Sequence, residues 1–293
     1  MTATKDRSTA GTVMLETGEA SYWEYPARQP GAGADLLFIH GFRGDHHGLD
    51  LLARALPEHR IIAPDLPGFG ASKPFSDREH SVEGYAGFVQ DFAAALGLGP
   101  EAVLLGHSFG SIIASHYLAA RPDSFAAAVL VNPISEPALK GPRAAASRLA
   151  EFYYFLGARL PERPGLALLQ HPAIVRLMSM MMAKTKDRQL RRFIHAQHDA
   201  YFSSFANRAV VLESFRASIS HDVVEAAPAL ALPVLLIAGA KDDLGSVTSQ
   251  RRLAAHIPGS HLEIIDGVGH LIHYEAPETA ARMISRFLRE LAA

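Results

Sequence analysis

The stretch Ala102-Val103-Leu104-Leu105-Gly106-His107-Ser108-Phe109-Gly110-Ser111-Ile112-Ile113-Ala114 decides how this chain reads. The apolar run before Gly106 has the make-up of a buried strand, and the residues from Ser111 to Leu118 place apolar side chains at helical spacing. Between them lies G-x-S-x-G. A sharp strand-to-helix turn forces its central residue into a strained conformation, and a side chain at position 106 or 110 collides with the neighbouring strand or helix. The turn pushes the Ser108 hydroxyl out at the carboxyl end of the strand. It also leaves the Phe109 N–H, at a helix N-terminus, able to face a developing oxyanion. The five-residue motif arises by accident in a chain with 23 glycines, so the flanking strand and helix carry the reading more than the motif does.

A serine hydroxyl is a poor nucleophile unless a base takes its proton. Of the 15 histidines, His270 in Gly267-Val268-Gly269-His270 directly follows the strand-like run His261 to Ile265, where a loop can reach back over a sheet; His273 is the reserve. The imidazole in turn needs an acid to fix its tautomer. Pro233 to Gly239 is a further apolar strand, with Ala240-Lys241-Asp242-Asp243 at its end. Asp242, three residues past the glycine, is the predicted acid, and Asp243 the predicted cap of the following turn.

Outward from these sites the chain alternates short apolar runs with helical stretches, the rhythm of a parallel sheet with crossover helices. Strands are predicted at Asp35–Ile39, Arg60–Ala63, Ala102–Leu105, Ala127–Val131, Pro233–Ala238 and His261–Ile265. A hairpin over Thr12–Glu16 and Ala20–Tyr25, turning at Thr17-Gly18, precedes them, after a frayed tail reaching about Gly11. Helices are predicted at His46–Leu56, Ser81–Leu96, Phe109–Arg121, Ser249–His256 and Pro277–Leu291. Between Ile134 and Leu230 the rhythm breaks into four or five helical patterns, giving a core over residues 1–134 and 230–293 with an all-helical insertion at 135–229.

The order Ser108, Asp242, His270, together with Phe38-Ile39-His40-Gly41-Phe42, Pro64-Asp65-Leu66-Pro67-Gly68-Phe69-Gly70-Ala71-Ser72 and Glu275-Ala276-Pro277-Glu278, resembles the α/β-hydrolase superfamily. The resemblance covers roughly Asp35 to Pro133 and Leu230 to the end. It implies a mostly parallel, doubly wound sheet with the helical insertion as a cap, and it assigns the second oxyanion donor to the Phe42 N–H beside that of Phe109. His40, Asp65 and His107 are expected to buttress turns, and Arg43, Asp45, His46 and His47 to be loop and helix-cap residues. Some relatives carry their acid after the preceding strand, where this chain has Asn132, which cannot be that anion. Dehalogenases and epoxide hydrolases of this fold attack with an aspartate; the serine here argues against those reactions.

With 28 Lys+Arg against 30 Asp+Glu the net charge is −2, which offers no field for nucleic acid. The absence of cysteine excludes disulfides and thiolate chemistry. No apolar run approaches a membrane span and the polar opening residues lack a signal-peptide core, so the sequence predicts a cytoplasmic protein without a membrane partner. A homodimer is compatible with this reading. Phe152-Tyr153-Tyr154-Phe155, Leu177-Met178, Met180-Met181-Met182, Tyr201-Phe202 and Phe205 give the insertion an apolar inventory suited to an apolar or aromatic acyl group. Lys184, Lys186, Arg191 and Arg192 read as a solvated helix face. The expected activity is hydrolysis of a small-molecule carboxylic ester through an acyl-enzyme, with no metal or organic cofactor required. Carbon–carbon hydrolysis of a vinylogous diketone, or ligand sensing without turnover, are the alternatives.

Overall fold

Strands built of Leu, Ile, Val and Ala without a polar face need cover on both sides, and this chain supplies it. The computed structural model describes residues 8–31, 33–139 and 144–292. The first half holds β1 (Thr9–Leu15), β2 (Gly18–Tyr25), β3 (Leu36–Ile39), α1 (His46–Arg54), β4 (Ile61–Pro64), α2 (Val82–Ala95), β5 (Val103–His107), α3 (Phe109–Ala120) and β6 (Ala127–Val131). Helices α4 (Ala144–Arg159), α5 (Glu162–Leu169), α6 (Pro172–Met182), α7 (Arg188–Tyr201), α8 (Arg208–Ser220) and α9 (Val223–Ala226) follow. The chain closes with β7 (Val234–Gly239), α10 (Val247–His256), β8 (His261–Ile265), α11 (Ile272–Glu275) and α12 (Pro277–Leu291).

The eight strands form one sheet in the order β1-β2-β4-β3-β5-β6-β7-β8. The pairings β1–β2 and β2–β4 are antiparallel and those from β4 through β8 parallel. Side chains alternate between faces. Leu37, Ile39, Leu104, Leu130 and Leu236 pack with α2, α3 and α10, while Leu36, Phe38, Val103, Leu105, Val129 and Ile237 pack with α1 and α12. Both faces are buried, which is the predicted double winding. The segment between β6 and β7 contains no strand among its described residues, and its last helices join the body: Val210 and Ala217 of α8 and Val223 of α9 share the core of the α2–α3 face.

The amino-terminal prediction is overturned. Thr9 to Gly11 are not frayed but pair with Tyr22 to Glu24, because a backbone ladder at a sheet edge forms without an apolar pattern. The hairpin turns at Glu16 and Thr17, one residue earlier than expected, with Gly18 already in the strand at φ +129. Among the described residues no helix is long and apolar enough to cross a membrane.

Candidate active site

β5 lies between β3 and β6, near the point where the strand order reverses, the place where open α/β sheets bind ligands beyond their carboxyl ends. Ser108 stands there at φ 55, ψ −118, a conformation a non-glycine residue adopts only under constraint. The constraint is visible in its neighbours. A Cβ on Gly106 would lie 2.3 Å from the Gly110 carbonyl oxygen, and one on Gly110 2.2 Å from that of Ile39. Both glycines exist so that β3, β5 and α3 can meet backbone to backbone.

The loops after β7 and β8 deliver the remaining side chains. Ser108 Oγ is 2.8 Å from His270 Nε2, and His270 Nδ1 is 2.9 Å from Asp242 Oδ2. Since a carboxylate only accepts, Nδ1 carries the imidazole proton and Nε2 is left to accept from the hydroxyl. Asp242 Oδ1 accepts the Leu244 N–H at 2.8 Å, and Oδ2 also accepts Asn132 Nδ2 at 2.8 Å. Burial alone disfavours the Asp242 anion. The field and hydrogen bond of His270, the Leu244 amide and the Asn132 amide outweigh it, and the carboxyl stays below its ordinary range.

The loop after β3 closes on the serine: a Cβ on Gly41 would lie 3.1 Å from that of Ser108. The next residue is Phe42, whose N–H finds no acceptor among the described residues. The Phe109 N–H, first in α3, has no intrahelical acceptor by helix geometry. His40 fixes this loop, its Nε2 accepting from the Leu66 N–H at 2.8 Å and its Nδ1 donating to the Gly41 carbonyl at 2.8 Å. Asp65 holds the adjoining turn by accepting from His46 and Ala71. His107 Nε2 donates to the His270 carbonyl at 3.2 Å; burial, reinforced by the nearby His270, pushes its pKa down to about 3. His273 lies beside His107, ring centroids 4.2 Å apart, with Nδ1 buried and unpartnered; burial keeps it neutral too.

This architecture can be compared with known proteins. The profile of the alpha/beta hydrolase fold family matches residues 36–277. The chain belongs to the α/β-hydrolase fold family. Monoacylglycerol lipase abhd6-A of Xenopus laevis is 23% identical over 90% of this chain and 77% of its own length. Lipase 1 of Psychrobacter immobilis is 25% identical over 85% of this chain and 75% of its own. A thermophilic esterase from Thermogutta terrifontis superposes with a TM-score of 0.77 at 22% identity, covering 97% of this chain and all of that one, a likeness of fold.

This α/β-hydrolase carries features its sequence did not disclose. Arg43, predicted as a loop residue, has φ 59 and is 1% exposed. Its guanidinium donates to the carbonyls of Phe202 at 2.9 Å and Leu169 at 3.0 Å, at the carboxyl ends of α7 and α5, and lies over the ring of Phe202 at 4.9 Å. Among the described residues, helix C-termini and aromatic faces, not a carboxylate, hold this charge. Glu275 accepts from the Gly269 N–H at 2.9 Å and from those of Lys184 and Thr185 at 2.6 and 2.7 Å, tying the His270 loop to the segment between α6 and α7. Asp45, as predicted, caps α1. Asp243 does not cap the turn after β7: Asp242 takes the Leu244 N–H, and Asp243 pairs with Lys184.

Around Ser108 and His270 lies a cavity of about 70 Å³, lined from the helical segment by Met182, Gln197, His198, Tyr201 and Phe202 and from the body by Phe42 and Tyr274 among others. Only part of the expected apolar inventory faces it. Tyr154 is buried against Phe42 and Phe215, while Phe152, Leu177, Met180 and Met181 turn to solvent. Arg191 and Arg192 of α7 are exposed, as predicted, but Lys184 and Lys186 lie between α6 and α7 and not on a helix face: Lys186 is exposed, whereas Lys184 is partly buried, its side chain against Gly269 and paired with Asp243.

Proposed function

We propose that this α/β-hydrolase cleaves carboxylic esters through an acyl-enzyme on Ser108, with His270 as general base and acid and Asp242 as its orienter. The observation that carries the reading is the unbroken relay from hydroxyl to imidazole to carboxylate, 2.8 and 2.9 Å, opening into a cavity. As Ser108 Oγ bonds to the carbonyl carbon, its proton passes to His270 Nε2. The resulting oxyanion is received by the N–H groups of Phe42 and Phe109. When the carbon–oxygen bond to the alcohol breaks, His270 returns the proton to the leaving oxygen. A water then gives its proton to His270 and attacks the acyl carbon, and Ser108 departs, regaining a proton. The lipases and esterase among its relatives support an ester as the substrate class.

Helices α4 to α7 serve as the cap of this site, and the lining sets its preference. The walls set aromatic and apolar side chains such as Phe42, Met182, Phe202 and Tyr274 beside polar ones such as Asp45, Gln197 and His198, and whereas drug-sized ligand pockets run to about 300 Å³ and more, about 70 Å³ admits only a short acyl group. A p-nitrophenyl ester series from acetate to laurate tests both parts. Acetate and propionate should give the highest kcat/KM, and Ser108→Ala should lose about three or more orders of magnitude. Equal rates in the two proteins would favour a ligand sensor; a preference for laurate would refute the short-acyl pocket.

A further inference from the structure

A helix on a protein surface ordinarily turns an apolar stripe inward and a polar face outward. Helices α4 and α6 do not. On α4, Tyr154 and Gly157 are buried, while Leu149, Phe152 and Leu156, three and four residues apart on the opposite side, are 70, 58 and 38% exposed. On α6, Val175 and Ser179 face inward, and Leu177, Met180 and Met181 are 53, 54 and 64% exposed. Apolar side chains thus occupy both sides of each helix, and isolated surface leucines do not account for two such rows.

The charge of the same region is equally uneven. Residues 135–229 contain 13 Lys and Arg against 8 Asp and Glu, whereas the rest of the chain contains 15 against 22. A net −2 therefore hides a helical segment at +5 on a body at −7. Arg148, Arg159, Arg163, Lys186, Arg188 and Arg192 are exposed and have no carboxylate partner among the described residues. Arg148 and Arg159 bracket the exposed row of α4.

We infer that the exposed rows of α4 and α6 together form a face that docks on an anionic phospholipid surface, its apolar side chains entering the headgroup boundary and its Lys and Arg meeting the lipid phosphates. This combination of apolar residues flanked by basic ones is that of an interfacial helix. A second copy of the chain is the poorer occupant, because a two-fold contact through this face sets one +5 segment against another. Since no described helix can span a bilayer, the docking is peripheral. The inference revises the expectation of no membrane partner, which rested on the lack of an apolar run long enough to span a bilayer, and it does not depend on the reaction at Ser108.

The test is co-sedimentation of the full chain with vesicles of phosphatidylcholine alone and of phosphatidylcholine mixed with phosphatidylglycerol, at low and high salt, alongside sedimentation velocity without lipid. The protein should bind the mixed vesicles, release in salt, and ignore neutral ones. Phe152→Ser combined with Met181→Ser should weaken vesicle binding about tenfold or more. Arg148→Glu combined with Arg159→Glu should do the same while leaving the apolar rows intact. Turnover of a soluble ester, or the circular dichroism spectrum if no ester is turned over, should not change in either variant. No binding by the wild type, equal binding to both vesicle types, or unchanged binding by both variants would overturn the inference. So would a wild-type dimer that the Phe152 and Met181 substitutions dissociate, since that assigns the face to a second copy.

Discussion

Asn132 Nδ2 lies 2.8 Å from Asp242 Oδ2, the same oxygen that stands 2.9 Å from His270 Nδ1. The amide at the end of β6 therefore shares the acid with the imidazole and helps keep it ionised and aimed. Asn132→Ala should cost about tenfold in kcat/KM, and Asp242→Asn about three to four orders of magnitude, by loss of the imidazole's orientation and charge partner. Asn132→Asp placed in the Asp242→Asn background sets a carboxylate beside the vacated position, and Asn132 already has the left-handed backbone, φ 46, that Asp tolerates. Ester kinetics on the four proteins should show at least about tenfold recovery in the double variant; no recovery would contradict the shared-acid account.

Arg43 links the backbone beside Phe42 to the carboxyl ends of α5 and α7. Arg43→Lys keeps the charge but not the planar fork that reaches both carbonyls. Both Arg43→Lys and Arg43→Ala should lower kcat by about tenfold or more through displacement of the Phe42 N–H, with KM for a small ester changing less. A Lys variant with wild-type kcat would show that charge alone suffices.

Ser108 sits at positive φ, which costs a side chain about 1 to 3 kcal/mol. Ser108→Gly removes that strain, so it should abolish turnover yet raise the melting temperature by about 2 °C or more. Ser108→Ala, which keeps a Cβ, should not. Calorimetry of the three proteins decides the matter, and a lower melting temperature for the glycine variant would deny the strain.

Stability should fall with acid well above the carboxylate range. An unfolded histidine takes a proton near 6.5, whereas folded His107 resists until about 3 and folded His198 until about 4, burial being the first cause in each. The unfolded state then binds more protons below pH 6.5, so stability present above that value is lost as pH falls towards the folded values. His107 alone accounts for about 2 kcal/mol between pH 6.5 and 5. Thermal unfolding should show the loss, and His107→Asn should flatten the slope. Asp242, held below its ordinary value, adds its own loss only at lower pH. An unchanged slope in His107→Asn would overturn the assignment.

Much of this architecture was legible because local pattern and global packing agree. The doubly buried strands read as unbroken apolar runs, and Gly106 and Gly110 announce a backbone contact that the fold makes. Ser108, Asp242 and His270 could be found because each follows a strand that brings it to the same edge of the sheet. Arg43, Asn132 and Glu275 could not, since their partners lie 90 or more residues away in sequence or act through backbone groups that leave no compositional mark. The apolar residues between β6 and β7 read alike whether they face the cavity or the solvent; only the packing of α4 and α6 separates Met182 from Met181.

Covalent capture identifies the nucleophile without any assumption about the substrate. The protein is treated with a fluorophosphonate, which bonds only to an activated serine, digested, and its peptides are weighed. One adduct is expected, on the peptide containing Ser108, formed far more slowly in His270→Ala. An adduct on another serine, or ester turnover persisting in Ser108→Ala, would contradict it.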